Sequence, residues 1–220
     1  MRVRSFLPLV AAGAALWYVR SVYRFRDPVR LPQVGPGEVL SPADGTVSFV
    51  RRVQGTQVDG VDVAGLLNAP EAADGWLVGI FVGPLDAHYT YQPVAGTLTQ
   101  VTHRAAVLNV PLLGVGAATG FLSGRASDLL GGRGTLENER LSSVTVTPFG
   151  HVTVTLVAPG AGLRVTSYQQ VGDEGRAGFK AAFLEEGGLV LLHLPGAFTP
   201  SVGVGERVLG AQTVAARADN

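Results

Sequence analysis

The chain has 220 residues, 46% of them hydrophobic and only 15% charged, which is enough for one sizeable core but not for two independent domains. With no cysteine, it excludes disulfides, thiolate nucleophiles and Cys-based zinc or iron–sulfur sites. The zero net charge hides an asymmetry: residues 1–30 hold six arginines and one acid, Asp27, and the remainder carries a net −5, which argues against nucleic acid and for a membrane surface.

Residues 6–19 form an uncharged run bounded by arginines, shorter than the roughly 20 residues a spanning helix needs. Counting on to residue 25, with arginines snorkelling and Trp17, Tyr18 and Tyr23 in the interfacial zone, residues 1–26 read as a marginal span or shallow membrane anchor. The small residues Ala11, Ala12, Gly13, Ala14 and Ala15 also suit a cleaved secretory signal, which stands as the alternative. Residues 27–37, with Pro28, Pro32 and Pro36, read as an extended connector, because proline forbids helix and biases its predecessor to extended backbone.

Residues 38–220 read as one mainly β domain. Strand-like runs are expected at 46–52, 77–82, 94–101, 105–110, 144–147, 152–157, 163–169, 189–194 and 212–215, a spacing that suits an antiparallel sandwich or barrel. Residues 114–140 lack alternation and are expected to form a long surface loop with at most a short helix. A weak internal echo links Val171-Gly172-Asp173 with Val204-Gly205-Glu206, too short by itself to establish duplication.

Several patterns carry no chemistry. The glycines from Gly114 to Gly120 miss the dinucleotide fingerprint by one residue and lack a βαβ context. His88, His103, His151 and His193 show no metal-ligand spacing, so no metal site is expected. No Gly-x-Ser-x-Gly elbow occurs, and the single lysine, Lys180, lacks the hairpin setting of a biotinyl or lipoyl carrier.

Five motifs in order carry a resemblance: Tyr23-Arg24-Phe25-Arg26-Asp27-Pro28, Ser41-Pro42-Ala43-Asp44-Gly45-Thr46-Val47, Pro84-Leu85-Asp86-Ala87-His88, Asn138-Glu139-Arg140, and the stretch 183–195. Together they span nearly the whole chain and resemble the phosphatidylserine decarboxylase family, especially its short prokaryotic branch. The resemblance implies a β-sandwich or barrel-like fold behind an N-terminal hydrophobic helix. It also implies association with a phospholipid membrane, at the cytoplasmic membrane of a prokaryote. The ligand would be an amino-phospholipid such as phosphatidylserine, and a homo-oligomer is compatible with this reading. Asp44 and His88 match the family's catalytic aspartate and histidine. From the residues alone, Asp44-Gly45 is a turn dipeptide and His88 a loop histidine. Tyr91 stands where long-branch relatives carry a second histidine, which short-branch relatives also lack. Asn138, Glu139 and Arg140 match a signature read as a polar brace, with a plain surface ion pair as the alternative.

Members of the family make a pyruvoyl cofactor from the serine of a Gly-Ser pair. Here the matching pair is Gly187-Gly188. Glycine has no hydroxyl to start the acyl shift, so no self-generated pyruvoyl group is expected and a non-cleaving, lipid-binding relative is the favoured reading. An active decarboxylase with another source of the carbonyl is the alternative. Glycine at this position is also expected to leave a roomy, flexible start to the strand.

Overall fold

Runs rich in Val, Thr, Leu and Phe, bounded by glycine and proline, form strands because branched and aromatic side chains suit a pleated, half-buried surface. The computed structural model of the chain describes residues 7–114, 120–121 and 125–219. Its strands are, in order, β1 (Glu38–Leu40), β2 (Gly45–Val53), β3 (Gln57–Val58), β4 (Val61–Asp62), β5 (Gly75–Val82) and β6 (Tyr89–Tyr91). There follow β7 (Gly96–Arg104), β8 (Arg140–Thr147), β9 (Gly150–Val157), β10 (Val165–Ser167) and β11 (Glu174–Gly175). The last are β12 (Lys180–Leu184), β13 (Gly188–Pro195), β14 (Phe198–Pro200), β15 (Arg207–Val208) and β16 (Val214–Ala218). The helices α1 (Leu7–Ser21), ahead of the strands, and α2 (Val63–Leu67) and α3 (Arg133–Glu137), between them, are among the described elements.

The architecture is mainly β, an antiparallel sheet curled into a half-barrel behind an N-terminal helix, as the sequence predicts. Eight strands form the main sheet in the order β11-β7-β8-β9-β13-β5-β2-β15. At its centre β13 pairs with β5 from Gly188 opposite Val82 and with β9 from Leu189 opposite Val157. Because side chains alternate along a strand, β13 feeds two core layers. Val190, Leu192 and Leu194 pack with Val78, Ile80, Val154, Ala182 and Ala216. Leu189 and Leu191 pack on the other face with Phe49, Leu67, Leu77, Leu129 and Leu130. The sheets β1-β16-β14 and β10-β12-β6 supply residues to the first layer, and α2 to the second.

The main sheet has approximate two-fold symmetry about the β9–β13 seam, and the echo seen in sequence is part of it. At one edge Gly172 N–H donates to Leu98 O and Leu98 N–H to Asp173 O; at the other Gly205 N–H donates to Val47 O and Val47 N–H to Glu206 O. Asp173 and Glu206 each accept a hydrogen bond from the amide three residues earlier. β7 and β2, the strands these turns grip, begin at Gly96 and Gly45 within Pro93-Val94-Ala95-Gly96-Thr97 and Pro42-Ala43-Asp44-Gly45-Thr46.

Two expectations are corrected. Residues 105–110 are not a strand: β7 ends at Arg104, and Val107 and Leu108 stand exposed. Residues 114–140 are not simply a surface loop, since Leu129, Leu130, Thr135, Asn138 and Arg140 are buried; residues 115–119, which include part of the rejected glycine pattern, and 122–124 lie outside the described residues.

Among the described residues no helix is long and apolar enough to cross a membrane. The fifteen residues of α1 extend about 22 Å, short of the roughly 30 Å hydrocarbon core. Leu9, Val10, Leu16 and Trp17 on it are exposed.

Candidate functional site

The Gly187-Gly188 turn lies where the chain leaves β12 and begins the central strand β13. Gly187 has φ +73° and Gly188 φ +141°, backbone conformations that side chains other than hydrogen rarely adopt. A Cβ on Gly187 would stand 2.5 Å from Val82 O, and one on Gly188 would collide with Val157 O. The expectation of a roomy start to the strand is therefore reversed. The neighbouring strands β5 and β9 close on this backbone from both sides, and only glycine fits as the chain is arranged.

His88 lies against this turn. Its Nε2 is 3.3 Å from Gly83 O, and the position a Cβ would take on Gly187 is 3.8 Å from the same nitrogen. The ring is buried, with Phe183 6.4 Å away between centroids, and Nδ1 has no hydrogen-bond partner among the described residues. Burial holds the His88 pKa below the usual 6.5, against the opposing pull of nearby backbone carbonyls and Asp86, so the imidazole is neutral at pH 7. Asp86 caps its own turn by accepting from Gly83 N–H at 2.8 Å and pairs with Arg207.

Asp44 is buried in the turn before β2, and its partners are elsewhere. Its carboxylate accepts from Arg30 Nη2 at 2.6 Å and from Gly210 N–H at 2.8 Å. Among the described residues no hydrogen bond joins Asp44 to His88. Arg30 also donates to Gln212 Oε1, so the chain before the domain is fastened across Asp44. Tyr91 is buried beside Gly210, and its hydroxyl has no hydrogen-bond partner among the described residues.

Asn138, Glu139 and Arg140 act on backbone. Asn138 accepts from Val110 N–H and donates to Val110 O and Ala158 O, each at 2.8 Å. Glu139 accepts from Leu163 N–H and pairs with His103, while its own carbonyl accepts from Ala158 N–H. Arg140 is buried and donates to the carbonyls of Asn138, Leu66 and Leu136, with no carboxylate partner among the described residues. Desolvation lowers its pKa to about 10, which still leaves it cationic at pH 7. Glu139 and Arg140 thus do not pair with each other. Through Ala158, Asn138 and Glu139 fix the end of β9, where Arg140 stands opposite Val157, whose carbonyl forms the wall against Gly188.

Sequence reasoning missed the strap made by residues 20–30. Phe25 stacks on Phe183 at 5.5 Å, Arg24 donates to Glu185 O, Arg26 donates to Leu85 O, and Lys180 pairs with Asp27. The signal was present in the Tyr23–Pro28 motif, whose arginines suggested a membrane surface more readily than an intramolecular contact. No group of His, Asp and Glu suited to hold a metal occurs among the described residues.

The family profile described as phosphatidylserine decarboxylase matches residues 17–216. A phosphatidylserine decarboxylase proenzyme from Gluconacetobacter diazotrophicus is 30% identical over 94% of this chain and 81% of its own length. Proenzymes of the same name from Thermobifida fusca and Polynucleobacter asymbioticus are 28% and 26% identical, over 94% and 96% of this chain and 75% and 87% of theirs. A match covering both halves of the sheet, the His88 pocket and the Asn138–Arg140 brace makes the chain a member of the phosphatidylserine decarboxylase family.

Proposed function

We propose that this member works in phospholipid metabolism at the membrane, binding an amino-phospholipid such as phosphatidylserine without cleaving itself or decarboxylating the lipid. The observation that carries this reading is glycine at position 188, where the family resemblance calls for the serine that becomes the pyruvoyl group. The residues present do not fit such a group. Position 188 has no oxygen nucleophile, a Cβ there would strike Val157 O, and Ser167 and Ser201 lie on other segments, in β10 and after β14. Schiff-base decarboxylation needs an electrophilic carbonyl acting as an electron sink, and this chain has no source of one by the family's route.

Residues 1–26 serve in this reading as a membrane anchor, 27–37 as the connector and 38–220 as the lipid-facing domain. Asp44 and His88 occupy the family's catalytic positions, and Asn138, Glu139 and Arg140 support the turn. The fastening of Asp44 by Arg30 supports a structural use of that carboxylate. The alternative of an active decarboxylase draws on His88, which is neutral and beside Gly187, as a general base would be. Incubating the purified full chain with phosphatidylserine vesicles separates the two: no phosphatidylethanolamine is expected, and its formation at a rate proportional to protein would overturn the non-catalytic reading.

A further inference from the structure

Three arginines converge on one carboxylate beside the Gly187 turn, and none makes a hydrogen bond to it. Arg20, Arg24 and Arg164 place guanidinium nitrogens 3.7, 3.8 and 3.8 Å from Glu186 Oε1, beyond the roughly 2.7–2.9 Å of a charge-assisted hydrogen bond. Arg24 Nη1 donates to Glu185 O at 3.2 Å, while its Nε is buried without a hydrogen-bond partner among the described residues. A cavity of about 60 Å³ opens here, lined by Arg20, Arg24, His88, Glu185 and Glu186 together with Val19 and Pro84, and Arg164 reaches Glu186 from outside that lining. That volume is several times the space one water needs. Even counting both glutamates, the three arginines leave the cluster positive, and His88 adds no charge at pH 7.

We infer that this cluster is a binding site for the phosphate of an anionic phospholipid head group. The inference rests on the lipid-binding reading above and assigns it a location. A tetrahedral oxyanion offers acceptors to several guanidinium forks at once, which one carboxylate at this distance does not. The lipid source follows from α1. Its exposed Leu9, Val10, Leu16 and Trp17 suit the boundary between head groups and acyl chains, and Arg20 lies at its C-terminal end. A lipid held beside α1 brings its phosphate to Arg20 and Arg24 and its head group toward His88.

The test measures affinity of the full chain for vesicles of phosphatidylcholine alone and of equal parts phosphatidylcholine and phosphatidylserine, with a parallel calorimetric titration by inorganic phosphate. Arg24→Gln is expected to weaken binding to the mixed vesicles about tenfold and Arg164→Gln about threefold, while Glu186→Gln strengthens it about threefold. Arg217→Gln, which removes the same charge from β16, where Arg217 pairs with Glu38 of β1 and not with Glu186, is expected to leave binding unchanged. Equal losses for Arg24→Gln and Arg217→Gln would mean diffuse attraction and overturn the site. Vesicle binding that is indifferent to Arg24 and Arg164 overturns the site but leaves the lipid-binding reading standing. Arg24-dependent binding of inorganic phosphate without vesicle binding keeps an oxyanion site, overturns its lipid source and removes the lipid-binding reading. Binding to neither probe overturns both.

Discussion

Gly188 begins β13 with its backbone held between Val82 and Val157, and any side chain there meets the Val157 carbonyl. Gly188→Ser therefore has two consequences to separate. The added Cβ is expected to cost about 1–3 kcal/mol in urea unfolding, the magnitude typical of strained backbone or overpacking. Gly188→Ala should cost about the same, since the clash belongs to the Cβ and not to the hydroxyl. An unperturbed Gly188→Ser protein would show that β9 and β13 part easily at this point. His88 gives a second prediction at this scale. Its folded pKa lies below the 6.5 of the unfolded chain, as does that of buried His193, so the unfolded state binds more protons between the folded and unfolded values. The stability these neutral imidazoles allow is full above about pH 6.5 and is lost as pH falls through the folded pKa values. Urea midpoints measured across that range should decline on acidification, and His88→Gln should decline less steeply.

At the scale of elements, the strap and the brace carry different loads. Arg30 and Asp44 form a close ion pair with 10% and 6% of their side chains exposed. Arg30→Ala leaves a buried carboxylate with only Gly210 N–H as a partner among the described residues and should destabilise the fold by about 2–3 kcal/mol. Removing residues 1–21, by contrast, takes away an exposed helix and leaves Arg30 in place. The melting temperature should then hardly change while vesicle binding falls, and a large drop in melting temperature would show that α1 is part of the core. Arg140→Met deserts the carbonyls of Leu66, Leu136 and Asn138, at an expected cost of about 3 kcal/mol in thermal or urea unfolding. The strands were legible where runs rich in branched and aromatic residues stand between turn signals, as at 46–52, 77–82 and 152–157, which lie within β2, β5 and β9. The 105–110 run misled because Val107 and Leu108 are apolar yet exposed, and apolar content alone does not report burial. Arg30's partner was hidden for a different reason: an ion pair between a connector and a turn depends on the closure of the whole sheet.

Across the whole molecule, the approximate two-fold arrangement explains why sequence revealed the architecture better than the site. The paired edge turns at Gly172 and Gly205 repeat a local hydrogen-bond pattern, and local patterns leave traces in sequence. The site breaks that symmetry. Asp44 in one half corresponds to Ala95 in the other, and the Gly187 turn, His88 and the arginine strap come from segments far apart in the chain. The missing hydroxyl at 188 was plain from the sequence; the closure of β5 and β9 around that position was not, because it depends on strand register. The most direct test is the intact mass of the purified full chain under denaturing conditions. A single uncut species near 22.8 kDa is predicted, whereas two chains separated between Gly187 and Gly188, the second carrying a blocked N-terminus, would contradict the account.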